Sequence, residues 1–172
     1  MARDTEPPSP GDRHKCPHDL ALFVGDWLTI GCTAPCEPGT VASLDRIRGE
    51  QVASRARMIR AWLLPDAGST ARVVLRLVGV WESSELPSLW WDFVEAHRGN
   101  LRQRDGVRTF EVGAGESDAL ESMLALVILF GWEACAAEAG SDRMFMIDHD
   151  GQAQLWGGDA ARRMELAAAM GV

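Results

Sequence analysis

The chain has 172 residues, 47% of them hydrophobic and 24% charged, and carries a formal net charge of −8. Those values fit a globular domain with a sizeable core and exclude a disordered polyelectrolyte. The acidic balance argues against nucleic acid and anionic membrane surfaces, which repel it, and favours neutral ligands or a basic protein as partner.

Residues 1–18 read as a flexible tail, because Pro7, Pro8, Pro10, Gly11 and Pro17 interrupt regular structure and the rest is polar. The tail lacks the apolar core of an export signal, so the expectation is a cytoplasmic protein whose Cys16, Cys32, Cys36 and Cys135 are thiols rather than disulfides. The domain then runs from 19 to 172. Asp19 to Ile30 is the first predicted helix: Leu20, Phe23, Val24, Trp27 and Leu28 recur at helical spacing, with Asp19 as cap and Gly31 as stop. A Pro/Gly turn segment covers Gly31 to Gly39. Val41 to Leu64 reads as a second helical region, with Gly49 as a candidate break.

Arg72 to Trp81 is rich in β-branched residues and predicts a strand. Ser88 to about Leu101 predicts a helix, Asp105-Gly106 a turn, and Val107 to Val112 a strand. Ser117 to Glu138 reads as one buried helix, although its LALVILF core also fits a buried strand. Its Met123 to Trp132 run falls short of the roughly 18–20 apolar residues of a membrane span. The C-terminus gives the sharpest local signal. RMFMI-DHDG-QAQLW is two short strands around an Asp150-Gly151 turn, and Asp159 caps a closing helix from Ala160 to Met170. The resulting order, α-α-β-α-β-α-β-β-α, predicts a single α+β domain. It would be a small mixed or antiparallel sheet, including the C-terminal hairpin, packed by four to five helices.

The residue inventory excludes several chemistries. Lys15, in the tail, is the only lysine, which removes a P-loop and a core Schiff-base lysine. There is no Tyr, and no G-x-G-x-x-G after a strand, G-x-S-x-G or H-E-x-x-H. Only His14, His18, His97 and His149 are available as bases near neutral pH.

Five constellations remain. Cys16, His18, Cys32 and Cys36, with His14, are the ligand types zinc prefers, but a helix of about 18 Å would separate the two halves. The hairpin tip, Asp148, His149 and Asp150, could hold a metal or do acid/base work, yet it lacks the twelfth-position Glu of a calcium loop, and Asp-Gly is ordinary turn chemistry. Cys135 with His97 would be a nucleophile and base only if Cys135 had a cationic or helix-N-terminal setting; its alanine neighbours suggest burial instead. Arg46, Arg57 and Arg60 fall on one helical side and could face an anion or simply water. Of the seven Trp, most read as core, while adjacent Trp90 and Trp91 point about 100° apart on a helix, so one of them is a candidate interface anchor.

The sequence therefore favours a non-enzymatic, cytoplasmic protein-binding module without a cofactor, of the general character of immunity or inhibitor proteins. It would meet a basic protein through Trp90 or Trp91 with Asp92 and Glu95, and through Asp148 and Asp150. The first alternative is a small metal-dependent enzyme or ligand-binding domain with its site near the 148–150 tip. The second is an oligomer subunit whose apolar Met123–Trp132 stretch is partly interface.

Overall fold

The computed structural model describes residues 39–44, 49–65, 71–79, 86–97, 101–103 and 109–171. The expected tail, the 19–30 helix, the Cys16/His18/Cys32/Cys36 set, Arg46 and Trp81 lie outside the described residues.

The fold is α+β. Among the described residues the strands are β1 (Thr40–Ser43), β2 (Arg72–Gly79), β3 (Leu101–Gln103), β4 (Thr109–Gly113), β5 (Glu133–Glu138), β6 (Met144–Ile147) and β7 (Gln152–Trp156). They form a seven-stranded sheet in the order β1-β7-β6-β5-β2-β4-β3. Every described pairing is antiparallel. The helices among the described residues are α1 (Gly49–Leu63), α2 (Leu86–Ala96), α3 (Ser117–Phe130) and α4 (Ala160–Met170).

The expected joining of the 72–81 and 107–112 strands with the hairpin holds: β2 sits between β4 and β5, and β5 pairs with β6. Three expectations are corrected. Val41 lies in strand β1 rather than a helix, and α1 begins at Gly49. Strand β3 occupies Leu101–Gln103, where the helical reading had ended. The stretch 117–138 is not one helix. It divides at Gly131, which adopts φ 62° and donates its N–H to Ile128 O while Trp132 donates to Val127 O. That paired closure is a Schellman cap, and it needs the left-handed conformation that glycine adopts at least cost. LALVILF is therefore the helical half, and EACAAE is the central strand β5.

Strand alternation sorts side chains onto two faces. Ala42, Leu155, Ala153, Phe145, Ile147, Ala136, Ala134, Val73, Leu75, Leu77, Phe110 and Val112 share the first face by register. All belong to the main apolar cluster. The helices lay their buried stripes on it: Ala56, Ile59, Trp62 and Leu63 from α1, Leu120, Met123, Leu124 and Val127 from α3, Ala167 and Met170 from α4. Each such Leu, Ile or Phe contributes about 1.5–3 kcal/mol on burial. α1 packs along α3, and Arg57 and Arg60 both reach Glu121 at its rim, 3.3 and 3.7 Å away.

Trp90 of α2 is 4% exposed and meets Phe110 and Trp132 edge-on, with ring centroids 5.5 and 5.3 Å apart. Two buried arginines anchor α4. Arg163 donates to Gly157 O at 2.5 Å and Gly158 O at 3.1 Å, and Arg55 of α1 donates to Ala169 O at the helix's far end. A cation on terminal carbonyls satisfies groups that a helix leaves open and complements its dipole.

Candidate functional site

The turn joining β6 to β7 is built by its own side chain. Asp148 Oδ1 accepts from the backbone N–H of Asp150 at 3.0 Å and of Gln152 at 2.8 Å, and Gly151 completes the turn at φ 73°. An aspartate bonding its own backbone two residues on is a standard way to fix a tight turn. Asp148 is thereby committed to structure, while His149 and Asp150 point outward as exposed side chains.

Gly131 brings Glu133 to the same place, at the start of β5. His149 Nδ1 lies 2.6 Å from Glu133 Oε1, and its Nε2 lies 3.7 Å from Asp150 Oδ1. The Nδ1–carboxylate contact makes Nδ1 the donor and leaves Nε2 as the position that gains and loses a proton. The hydrogen bond to Glu133, and then the charge of Asp150, raise the His149 pKa above its ordinary 6.5.

Behind this imidazole lies a cavity of about 400 Å³. Its lining is mixed and open to solvent on one side, with the apolar side chains of Leu44, Val52, Ile128, Leu129, Phe130 and Ile147 beside polar groups. His149, Asp150 and Gly151 close one side, and Gly49, at the start of α1, and Gly131 contribute bare backbone. Leu129 is 54% exposed, high for a leucine, and stands at the cavity rather than in the core. An apolar hollow of roughly 300–1,000 Å³ with a few polar groups on one side is the usual form of a small-molecule site.

The other candidates fare differently. Trp90 is 4% exposed and belongs to the core, so it is the inward-facing member of the Trp90/Trp91 pair. Trp91 lies in α2 beside it. Asp92 and Glu95 are exposed on the same helix, and Asp150 is exposed at the hairpin tip. Cys135 is a buried thiol in β5, 1% exposed, not in a helix. His97 stacks on Phe93, and its Nδ1 lies 2.9 Å from Phe93 O. Arg57 and Arg60 do converge, but on Glu121. Among the described residues, no group of three or more His, Cys, Asp or Glu side chains is arranged to hold a metal ion. No helix among them is long and apolar enough to cross a membrane. Within the Met123–Trp132 stretch, Met123, Leu124, Val127 and Trp132 are buried in the chain's own core, Ala125, Leu126, Ile128 and Phe130 pack partly against it, and Leu129 is exposed.

His149 and Asp150 stand out in the sequence as a polar turn, whereas Glu133, sixteen residues earlier in the chain, does not. No spacing rule joins the two. Only the cap at Gly131 and the β5–β6 register bring them together.

Compared with protein-family models, curated proteins and solved structures, the chain shows no significant match to any of them.

Proposed function

We propose that this chain binds a small ligand at the hairpin tip, with an apolar body in the cavity and a polar head at His149. The observation that carries this reading is the His149–Glu133 pair at one side of a partly apolar hollow. The pair holds the ring in one orientation, with Nε2 3.7 Å from Asp150 Oδ1 at the side of the hollow. Protonated His149 is already offset by Glu133 and Asp150, so the local balance disfavours a second anion. A neutral head that exchanges hydrogen bonds, a hydroxyl, carbonyl or amide, fits it best. The same imidazole is equipped for general acid/base transfer to a bound head group.

The test uses 1-naphthol as probe with the full chain, followed by methyl and imidazole NMR. Binding should perturb the methyls of Val52, Ile128, Leu129 and Ile147 together with the His149 ring. Val52→Trp, which fills the hollow, should abolish those shifts. Shifts confined to other regions, or none at millimolar probe, would remove the reading.

A protein partner is the second reading, supported by the net charge of −8 and by the exposed Asp92, Glu95 and Asp150. Charge of this sign accelerates encounter with a basic surface and sets specificity. Native mass spectrometry of the protein taken gently from its host would reveal a co-purifying basic chain. A bare chain or a small added mass would favour the ligand instead.

A further inference from the structure

A second hollow, of about 250 Å³, lies between α1 and α4. Two turns build its base. In the β5–β6 turn Gly140 adopts φ 80°, Ser141 Oγ accepts from Arg143 N at 3.0 Å, and Glu138 N donates to Arg143 O at 3.2 Å. The backbone of Arg143 is thereby fixed just before β6. Gly157 and Gly158 make the other turn, and Gly158 N donates to Asp142 Oδ1 at 3.0 Å. A Cβ on Gly158 would lie 2.7 Å from Trp62 Cη2 and 3.4 Å from Arg143 Nε. With no side chain there, the Arg143 guanidinium settles 5.7 Å from the centre of the Trp62 ring, a cation–π contact. The helices add the walls. Met58, Ala61 and Trp62 come from α1, Pro65 follows its end, and Arg162 and Leu166, four residues apart, share one side of α4.

The charged groups in this lining are Arg143, Arg162 and Asp159. Asp159 is committed as the α4 cap, its Oδ1 accepting from Arg162 N at 2.9 Å. Arg143 meets Glu138 at 3.4 Å and Arg162 meets Glu165 at 3.6 Å, both longer than the roughly 2.7–2.9 Å of a tight charge-assisted bond. The Arg162 side chain is 72% exposed, where such a pair holds it weakly. Each guanidinium also has N–H groups beyond the one in its pair. Two cations against one carboxylate leave this lining with an excess of positive charge, on a chain whose net charge is −8. Trp62 is 6% exposed, and its Nε1 has no hydrogen-bond partner among the described residues. The lining is therefore rich in donors and short of acceptors, the balance that an oxyanion completes.

We infer that the groove between α1 and α4 is a second binding site, for a small aromatic carboxylate, with its oxyanion at Arg143 and Arg162 and its ring against Trp62, Met58 and Leu166. The planar guanidinium fork matches a carboxylate, and the single excess charge suits a monoanion. The apolar side chains select a ring over an inorganic anion, and the volume limits the ligand to one of about benzoate size. This site is independent of the hairpin-tip hollow, where the lining carries Asp150 and no arginine.

The test is an NMR titration of the full chain with sodium benzoate near neutral pH, where the probe is ionised. The Met58 and Leu166 methyls and the Trp62 indole N–H should shift together and saturate. Benzamide, of the same shape but neutral, should bind about tenfold more weakly, as should benzoate to Arg143→Gln. Arg162→Gln, at an exposed position, should weaken benzoate by about threefold. A further variant keeps the test independent of the packing of Arg143. Ala61→Glu sets a carboxylate on an exposed part of the lining, and it should abolish the response while the far-UV circular dichroism is unchanged. Equal affinity for benzamide, or full binding in Ala61→Glu, would overturn the inference. So would shifts confined to Ile128, Leu129 and Ile147 at the hairpin tip, or no response at millimolar benzoate.

Discussion

The two ends of strand β7 use the same materials to opposite ends. After Trp156 the chain turns through Gly157 and Gly158, both at positive φ, and the nearby charge is buried: Arg163 is 7% exposed and gives its guanidinium to both glycine carbonyls. Before Gln152 the chain also turns on a positive-φ glycine, but the nearby charges, His149 and Asp150, are exposed beside a partly apolar hollow. Both corners use charge to hold backbone, Arg163 on the glycine carbonyls and Asp148 on the N–H groups of Asp150 and Gln152, and only the hairpin corner adds an exposed titratable ring beside a hollow. The difference teaches that a charged residue is read from its partners. Backbone carbonyls make Arg163 structural, whereas a carboxylate and an open cavity make His149 a candidate for chemistry.

Substitutions should separate the corners in order of cost. Gly157→Ala should be the most damaging. The added Cβ would meet the backbone of Asp142 and lie 2.8 Å from Arg143 N, on a residue held at φ 77°. A loss of about 3 kcal/mol or more is expected in denaturant unfolding, since backbone cannot yield as a side chain can. Arg163→Met should follow at about 2–3 kcal/mol, because it leaves two turn carbonyls without their charged donor. Gly131→Ala should cost about 1–2 kcal/mol, because open space surrounds the position and only the left-handed backbone is penalised. It should also loosen the site by shifting Glu133, which a weaker 1-naphthol response would reveal.

The smallest effect is the most diagnostic. The folded His149 pKa is raised, chiefly by the Glu133 hydrogen bond. The contribution of this contact is therefore fully present below the unfolded value near 6.5 and is lost as pH rises through the raised folded value. An imidazole NMR titration should place His149 above 6.5. Glu133→Gln should move it down, and Asp150→Asn should move it down by less. An unshifted His149 in the parent would mean that the pair is not formed in solution.

How much was legible in the sequence follows the range of the interactions. The hairpin and the Asp159 cap were readable because each is set within a few residues: Asp-Gly makes the turn, and Asp159 accepts from Arg162 N at 2.9 Å. The division of 117–138 was not, although Gly131 stood in the middle of it. LALVILF and EACAAE are both short, largely apolar runs, and periodicity alone does not tell a helix from a strand in such a run. Strand β1 was misread because Val41 and Leu44 continue a helical spacing into α1, and only pairing with β7 decides otherwise. An amphipathic helix does not reveal in its sequence which of two adjacent Trp faces inward, and only the fold places Trp90 in the core. Of the candidate site, His149 and Asp150 were legible as a polar turn. The cavity was not, because its walls come from Leu44, Gly49 and Val52, from 128–131 and from 147–151, which only the tertiary fold joins.

The most direct test of the ligand site is the 1-naphthol titration repeated on Glu133→Gln and on Val52→Trp. The account predicts saturable shifts at Ile128, Leu129, Ile147 and the His149 ring in the parent, altered at His149 alone when Glu133 is neutralised, and absent when the hollow is filled. Unchanged binding in Val52→Trp would contradict it, because the probe would then be held somewhere other than the hairpin-tip cavity.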